Sequence, residues 1–380
     1  MPTFCKLPWQ GLDISPQGGF KPCCKYNRTI ANTLDEYIVS DELSKLKQAF
    51  INGEQPAGCS RCWQDEAANM LSKRQLTEQL YLTDTDCFDN SIKILGFAFG
   101  NICNLECRYC QGGASSKWNT TAIKLSPIIP NIPIFKSSSF YKDEDLMNKI
   151  AVMTKDATYL EFAGGEPFYS GVAEHKHYLK MLLDNDPHCK TLQYITNVTT
   201  FPDQELIDLW SHFKTVIIQL SLDGIEKQFE YMRFPAKWDI AYANIKQYQL
   251  TQSIMPNLQL SISHTVGILN VYQVADFIEW CNLEKLPMPY CGMVSKPNYF
   301  CIRNLPIHVK EKIQKHLAGK GVDNIISYLM EPATEDFTTL RNLWITEVDK
   351  LRLQSYSEYF PEFSRILYGN LPVFPPAESQ

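Results

Sequence analysis

Three cysteines within eight residues, Cys103-Asn104-Leu105-Glu106-Cys107-Arg108-Tyr109-Cys110, are the part of this chain best suited to chemistry. An apolar stretch precedes them, so the thiols fall in the loop that leaves a strand's carboxyl end. The C-x3-C-x2-C spacing lets each thiolate reach one iron of a [4Fe–4S] cube and leaves the fourth iron without a protein ligand. An open metal position is what substrate chemistry requires. A structural zinc site would want a fourth cysteine or histidine close by, for which His175 and His177 are the candidates. Buried core cysteines, for their part, seldom cluster three in eight residues.

Further motifs follow at the ends of later apolar strands. In Ala163-Gly164-Gly165-Glu166-Pro167 two glycines let backbone carbonyls approach an ammonium group closely, and Glu166 orients the loop. Thr196-Asn197 ends the third strand and Ser221-Leu222-Asp223-Gly224 the fourth. Arg233 follows, with a guanidinium fork suited to a carboxylate, or else to a solvated helix salt bridge. Thr265-Val266-Gly267 leaves the fifth strand.

In this order the motifs resemble those of the radical SAM superfamily. The resemblance implies an open iron that binds the amino and carboxylate groups of S-adenosylmethionine. It implies reductive cleavage to a 5′-deoxyadenosyl radical, which removes a hydrogen atom from substrate. By the same resemblance Gly164, Gly165 and Glu166 hold the methionine amino group and Asn197 lies near the ribose. Ser221 and Arg233 bind ribose or the methionine carboxylate, and Val266 and Tyr109 lie near adenine, although core packing also explains those two. Val198 departs from the family pattern, standing where glycine is usual.

A second constellation is N-terminal: Cys5, then Cys23 and Cys24 after the Gly18-Gly19 turn, then Cys59-Ser60-Arg61-Cys62. Four of these cysteines could surround one cluster with every iron bound to protein. The pattern resembles the SPASM and twitch modules that carry auxiliary clusters in radical SAM enzymes, here placed ahead of the barrel instead of after it. A structural zinc site is the rival. Cys23 and Cys24 point to opposite faces if the segment is extended; Cys23 is favoured, with Cys24 the alternative. Two short motifs remain open. Ser72-Lys73-Arg74-Gln75 would contact an anionic substrate group or form a solvated helix face, and Ser115-Ser116-Lys117-Trp118 would meet substrate or serve capping and packing. Cys87, Cys189, Cys281, Cys291 and Cys301 lack ligand spacing and read as small core residues.

The elements that must position these groups alternate. Residues 11–14 and 20–24 form a hairpin around the turn of residues 15–19. Residues 34–52 are helical, with Asp41 as cap and Leu43, Leu46 and Phe50 on one face, and a second helix runs from Trp63 into Tyr81. Strands are expected over 92–99, 158–162, 191–196, 215–222, 258–265 and 287–293. Helices are expected over 175–183, 203–210, 238–251 and 271–281. This is the rhythm of an α/β fold, a partial (β/α)6 TIM-like barrel with chemistry at the carboxyl ends of its strands. Residues 118–156 read as a long loop with a short helix, a lid in character. Residues 1–90 then form the cysteine-rich hairpin and helix module, 91–300 the barrel, and 301–380 a helical extension with a frayed tail around Pro372, Pro375 and Pro376.

The chain has 380 residues, 44% apolar and 21% charged, as expected of a globular protein that buries a full core. Its net charge of −6 and the lack of a basic, aromatic-rich appendage argue against nucleic acid. No run is apolar enough to span a bilayer and no export signal is evident, so a reducing cytoplasm is the expected compartment, where the clustered cysteines among the thirteen suit metal ligation rather than disulfides. What the resemblance to radical SAM enzymes implies is hydrogen abstraction from a peptide or protein, in an oxidoreductase supplied by a donor such as flavodoxin or ferredoxin. A twitch-type dehydrogenase or epimerase of small molecules, and a non-catalytic iron–sulfur scaffold or redox sensor, are the alternatives.

Overall fold

A computed structural model describes residues 3–67, 71–82, 88 and 90–368 of the chain. Eight strands form one sheet: β1 Gly11–Ile14, β2 Phe20–Lys21, β3 Ile94–Ala98, β4 Tyr159–Ala163, β5 Thr191–Thr196, β6 Thr215–Ser221, β7 Leu258–Val266 and β8 Tyr290–Met293. Their order is β2-β1-β3-β4-β5-β6-β7-β8. From β3 to β8 every neighbour is parallel, giving the six-stranded partial barrel of an α/β fold with a helical C-terminal region. The N-terminal hairpin adds to it, because β1 pairs parallel with β3, Leu12 opposite Leu95.

The helices before the barrel are α1 Leu7–Gln10, α2 Leu34–Ile38, α3 Asp41–Ile51, α4 Ser60–Ala67 and α5 Lys73–Tyr81. Ser40, not Asp41, caps α3: its hydroxyl accepts from Glu42 N and Leu43 N, and Asp41 instead places a carboxylate in the first turn. The helix expected to run from Trp63 to Tyr81 is two helices. Ser72 starts the second with a capping box closed by Gln75.

Within the barrel run α6 Trp118–Leu125, α7 Glu144–Met153, α8 Val172–Leu183, α9 Gln204–Trp210, α10 Glu226–Met232, α11 Trp238–Ile254 and α12 Val274–Leu283. The insertion after Trp118 is therefore more helical than its three prolines suggested. α7 is capped by Asp143 and packs on the sheet as the crossover between β3 and β4. α10 was too short for a periodicity argument. α13 Ile307–Leu317, α14 Asp323–Met330, α15 Thr338–Arg352, α16 Tyr356–Tyr359 and α17 Pro361–Tyr368 complete the chain. Cys87 and the proline-rich tail lie outside the described residues. Among the described residues no helix is long and apolar enough to cross a membrane.

The two faces of the sheet differ in chemistry. Leu95, Phe97, Leu160, Phe162, Leu192, Tyr194, Ile218 and Leu220 are buried against the outer helices in the main core. The opposite, concave face is polar. Lys21 pairs with Asp13 at 3.4 Å, Lys73 with Glu161 at 2.9 Å, and Gln193 Nε2 donates to Gln219 Oε1 at 3.2 Å. Closed TIM barrels fill that space with branched apolar side chains, so a polar concave face is room for a polar ligand.

His175 on α8 sits in the main core, between Phe99 and Phe162, with Nε2 bonded to Tyr194 OH at 2.9 Å. Burial holds its imidazole down to about 3. The folded state thus keeps it neutral while the unfolded chain titrates near ~6.5. Its stabilisation is complete above that value and is lost as pH falls toward 3, by roughly 5 kcal/mol in full. Urea titrations between pH 6.5 and 4 should show a shallower loss for His175→Phe than for the wild type; equal slopes would contradict this assignment.

Candidate active site

The cysteine loop leaves β3 and is braced from two sides. Ser115 Oγ donates to Leu105 O at 2.6 Å, Lys117 Nζ to Asn104 O at 3.0 Å and Trp118 Nε1 to Cys107 O at 2.9 Å. The segment 115–118 is thus bound to the loop's carbonyls. On the α10 side, Glu106 N donates to Phe234 O at 2.6 Å and Arg108 N to Met232 O at 2.7 Å. Asn101, which sequence reasoning missed, ties the insertion down: Nδ2 donates to Gly112 O and Lys136 O, and Oδ1 accepts from Ser138 N.

Cys103, Cys107 and Cys110 are all half-buried. Burial pushes the three thiols up, Cys110 to about 12, and mutual repulsion adds to this at Cys107 and Cys110. The Arg233 guanidinium pulls those two back down. Leu105 N and Asn197 Nδ2 donate to Cys103 Sγ at 3.5 and 3.7 Å. A metal centre among the three thiols would supply the positive charge that turns them into thiolates. Among the described residues no three His, Cys, Asp or Glu side chains converge on a single-ion geometry.

The glycine loop after β4 passes directly over this segment. Gly164 and Gly165 have φ of 79° and 52°. A Cβ on Gly165 would lie 2.2 Å from Ile102 O, and one on Gly164 2.3 Å from Ala98 Cβ. Glu166 N donates to Ile102 O at 3.1 Å. The buried Glu166 carboxylate accepts from Thr196 Oγ1 at 2.7 Å, Asn197 N at 2.6 Å and Phe168 N at 3.3 Å, so it ties the β4 exit to the β5 exit. Burial pushes it up to about 7 against these donors.

Asn197 also lies on the cysteine loop, donating to Asn104 Oδ1 at 2.8 Å. Val198 adopts φ 70°, a left-handed conformation rare for a β-branched residue. Its carbonyl is held by Asn244 Nδ2 at 2.7 Å. Ser221 is half-buried at the end of β6. Arg233 is not on a solvated helix face: it is buried and pairs with Asp223 at 2.9 Å, and its Nε has no partner. Asp223 in turn accepts from Thr265 N at 2.9 Å. Nothing in the sequence reading assigned Asp223 a role, although a cation buried at a strand end calls for a nearby carboxylate.

Tyr109 rests on the β7 exit. Its hydroxyl accepts from Leu269 N at 2.7 Å, and its ring fills the space a Cβ on Gly267 would take. Val266 is fully buried in the second core, and its carbonyl accepts from Val294 N. Three half-buried thiols on one loop, a second loop that only glycine can follow and a buried guanidinium with a free donor fit an iron–sulfur cluster that carries S-adenosylmethionine.

The N-terminal cysteines gather as a second group. Cys5, Cys23, Cys59 and Cys62 belong to one small core with Trp9, Tyr26 and Trp63. Cys5 lies within electrostatic reach of Cys59 and Cys62, and Cys23 of Cys5 and Cys62. Cys23 and Cys24 both line a small cavity with Asp13, Lys73 and Glu161 on the concave side, and Lys73 and Glu161 act on Cys24. The 72–75 motif is not solvated either. Lys73 reaches Glu161, while Arg74 grips Glu66 at 3.0 and 2.6 Å and donates to Phe4 O at 2.9 Å beside the four thiols. Arg61 crosses to β8, bonding Ser295 Oγ and, at 3.4 Å, Met293 O. Of the other cysteines, Cys281 and Cys301 are buried, Cys291 half-buried and Cys189 exposed.

Residues 97–249 match the family model described as the Radical SAM superfamily. Among solved structures, it is similar to anSMEcpe with bound AdoMet, at 16% identity and TM-score 0.42, covering 64% of this chain and 61% of that one. The complex of anSMEcpe with AdoMet and Kp18Cys peptide matches at 16% identity and TM-score 0.40, over 54% and 53%. Streptococcus suis SuiB bound to precursor peptide SuiA matches at 13% identity and TM-score 0.37, over 86% and 66%. The chain thus spans between about half and two thirds of the length of these structures. No curated protein matches it.

Proposed function

We propose that this chain is a radical SAM enzyme that abstracts a hydrogen atom from a peptide or protein. The observation that carries the reading is the meeting of the three thiols with the Gly164-Gly165 loop and the Arg233–Asp223 pair at one end of the barrel. The chemistry that a cluster bound to Cys103, Cys107 and Cys110 supplies is one-electron cleavage of S-adenosylmethionine to a 5′-deoxyadenosyl radical.

The protein's own groups bind and orient. Carbonyls of the glycine loop accept from the methionine ammonium, and Glu166 fixes that loop against β5. Arg233 offers its unpaired Nε to the methionine carboxylate while Asp223 sets the plane of the guanidinium. Ser221 and Asn197 face the ribose, and Tyr109 and Val266 border the adenine. The polar concave face, with Glu161, Lys73, Gln193 and Gln219, receives the substrate and suits a peptide's donors and acceptors.

In this reading residues 1–90 are a twitch- or SPASM-like module whose Cys5, Cys23, Cys59 and Cys62 hold an auxiliary cluster. Residues 91–300 are the barrel and 301–380 the extension. The enzyme works in the cytoplasm with a flavodoxin- or ferredoxin-type donor. Anaerobic reconstitution should give about eight irons per chain. Cys23→Ala should remove about four of them, and Cys24→Ala none. About four irons plus one zinc would sink the auxiliary cluster but not the radical chemistry. The substrate is tested by mass spectrometry of peptides encoded beside the gene after co-expression; unmodified peptides alongside an altered small metabolite would overturn the peptide reading.

A further inference from the structure

We propose that Asp349, far along the chain on α15, is a positioning residue for the cysteine loop, and that the C-terminal extension is thereby part of the active-site scaffold. The proposal rests on the assignment of that loop as the site of S-adenosylmethionine cleavage.

The argument starts at Arg108, inside the cysteine motif between Cys107 and Cys110. Its side chain is fully buried, and a guanidinium removed from water needs a counter-charge and filled donors. Asp349 provides the charge: Arg108 Nη2 donates to Asp349 Oδ1 at 2.6 Å and to Gln354 Oε1 at 2.8 Å. Arg108 Nε donates to Tyr231 O at 3.3 Å, and the guanidinium lies 3.8 Å from the centre of the Tyr231 ring.

The same carboxylate gathers the other elements around the loop. Tyr231 OH donates to Asp349 Oδ1 at 2.9 Å, and Tyr356 N to Oδ2 at 2.8 Å. One turn further on, Arg352 Nη2 donates to Glu106 O at 2.7 Å and lies over the rings of Trp118 and Phe234. Asp349 therefore holds Arg108 and Tyr231 together. Tyr231 is two residues before Arg233, and the carbonyls on either side of Arg233, those of Met232 and Phe234, accept from Arg108 N and Glu106 N. What Asp349 sets is the register between the three thiols and the guanidinium that faces them. A helix that only filled the core would have no need of a buried carboxylate here, since an apolar pair packs as well or better.

The test uses the full chain in two states. In metal-free protein, iodoacetamide labelling followed by mass spectrometry reads the exposure of each thiol. In reconstituted protein, KM for S-adenosylmethionine and kcat for 5′-deoxyadenosine are measured, with the electron paramagnetic resonance spectrum of the reduced cluster taken with and without S-adenosylmethionine. Asp349→Asn should raise KM by about tenfold with kcat changed by less than about threefold. It should speed labelling of Cys107 by about tenfold and weaken the spectral shift caused by S-adenosylmethionine, and Asp349→Glu should restore part of each. Arg108→Lys, which keeps the charge, should move the same readouts in the same direction by less and stands in if Asp349→Asn does not fold. A lowered melting temperature with unchanged KM, labelling and spectrum would reduce Asp349 to a fold stabiliser and overturn the proposal. If the wild type cleaves no S-adenosylmethionine, the functional assignment falls, while the labelling still decides whether Asp349 positions the loop.

Discussion

Cys107→Ala is expected to abolish formation of 5′-deoxyadenosine from S-adenosylmethionine and dithionite, with the fold intact. The loop does not depend on the Cys107 sulfur for its path. Its main chain is held through Trp118 Nε1 on Cys107 O and through Arg108 N and Glu106 N on the 232–234 segment. Alanine keeps every one of those bonds. What is lost is one of three thiolates, and two thiolates cannot retain a cube that offers one open iron. Iron content should fall by about four per chain while the melting temperature of metal-free protein stays within about 2 °C of the wild type. Product formed at wild-type rate would remove the central assignment. A collapsed melting temperature would show that the sulfur has a packing role the backbone bonds do not reveal.

The second large effect is expected at Gly165→Ala. At φ 52° an alanine is strained on its own account, by roughly 1–2 kcal/mol. Its Cβ would also fall 2.2 Å from Ile102 O and 2.9 Å from Ile102 C, both backbone atoms of the cysteine loop. Neither can yield without moving Cys103 next door. The Glu166 N to Ile102 O bond breaks first, and the loop carbonyls proposed to receive the methionine ammonium move with it. A displacement near 1 Å at a reacting centre costs about a hundredfold in rate. We expect kcat/KM for S-adenosylmethionine to drop by at least about that factor. Isothermal titration with S-adenosylmethionine on reconstituted protein checks the binding part; affinity equal to the wild type would mean that the loop does not touch the cofactor.

Both expectations rest on residues that were legible from type and spacing. Cysteines at C-x3-C-x2-C and a Gly-Gly-Glu triplet carry their chemistry locally, within a few bonds. The parallel strands were legible for a similar reason, since β5 and β6 alternate buried and half-buried side chains along their whole length. What the chain hides is set by partners distant in sequence. Asp223 follows a strand with no partner close in sequence; the partner is Arg233, ten residues on. Lys73 and Arg74 looked like a wet helix face because Glu161 and Glu66 were out of sight. Val198 shows the reverse: its departure from the family's glycine was visible, but the conformation behind it, and the Asn244 bond that holds it, were not.

The pairing of β1 with β3 has a consequence for how the chain is made. Gly11 pairs with Ile94, 83 residues downstream. During synthesis the hairpin and its four cysteines therefore emerge well before the strand that completes their sheet. Trp9, Tyr26 and Phe50 of their core come from the first segment, but Ile94 of β3 and Tyr159 of β4 complete it. The remainder of the N-terminal edge must wait for the barrel to arrive.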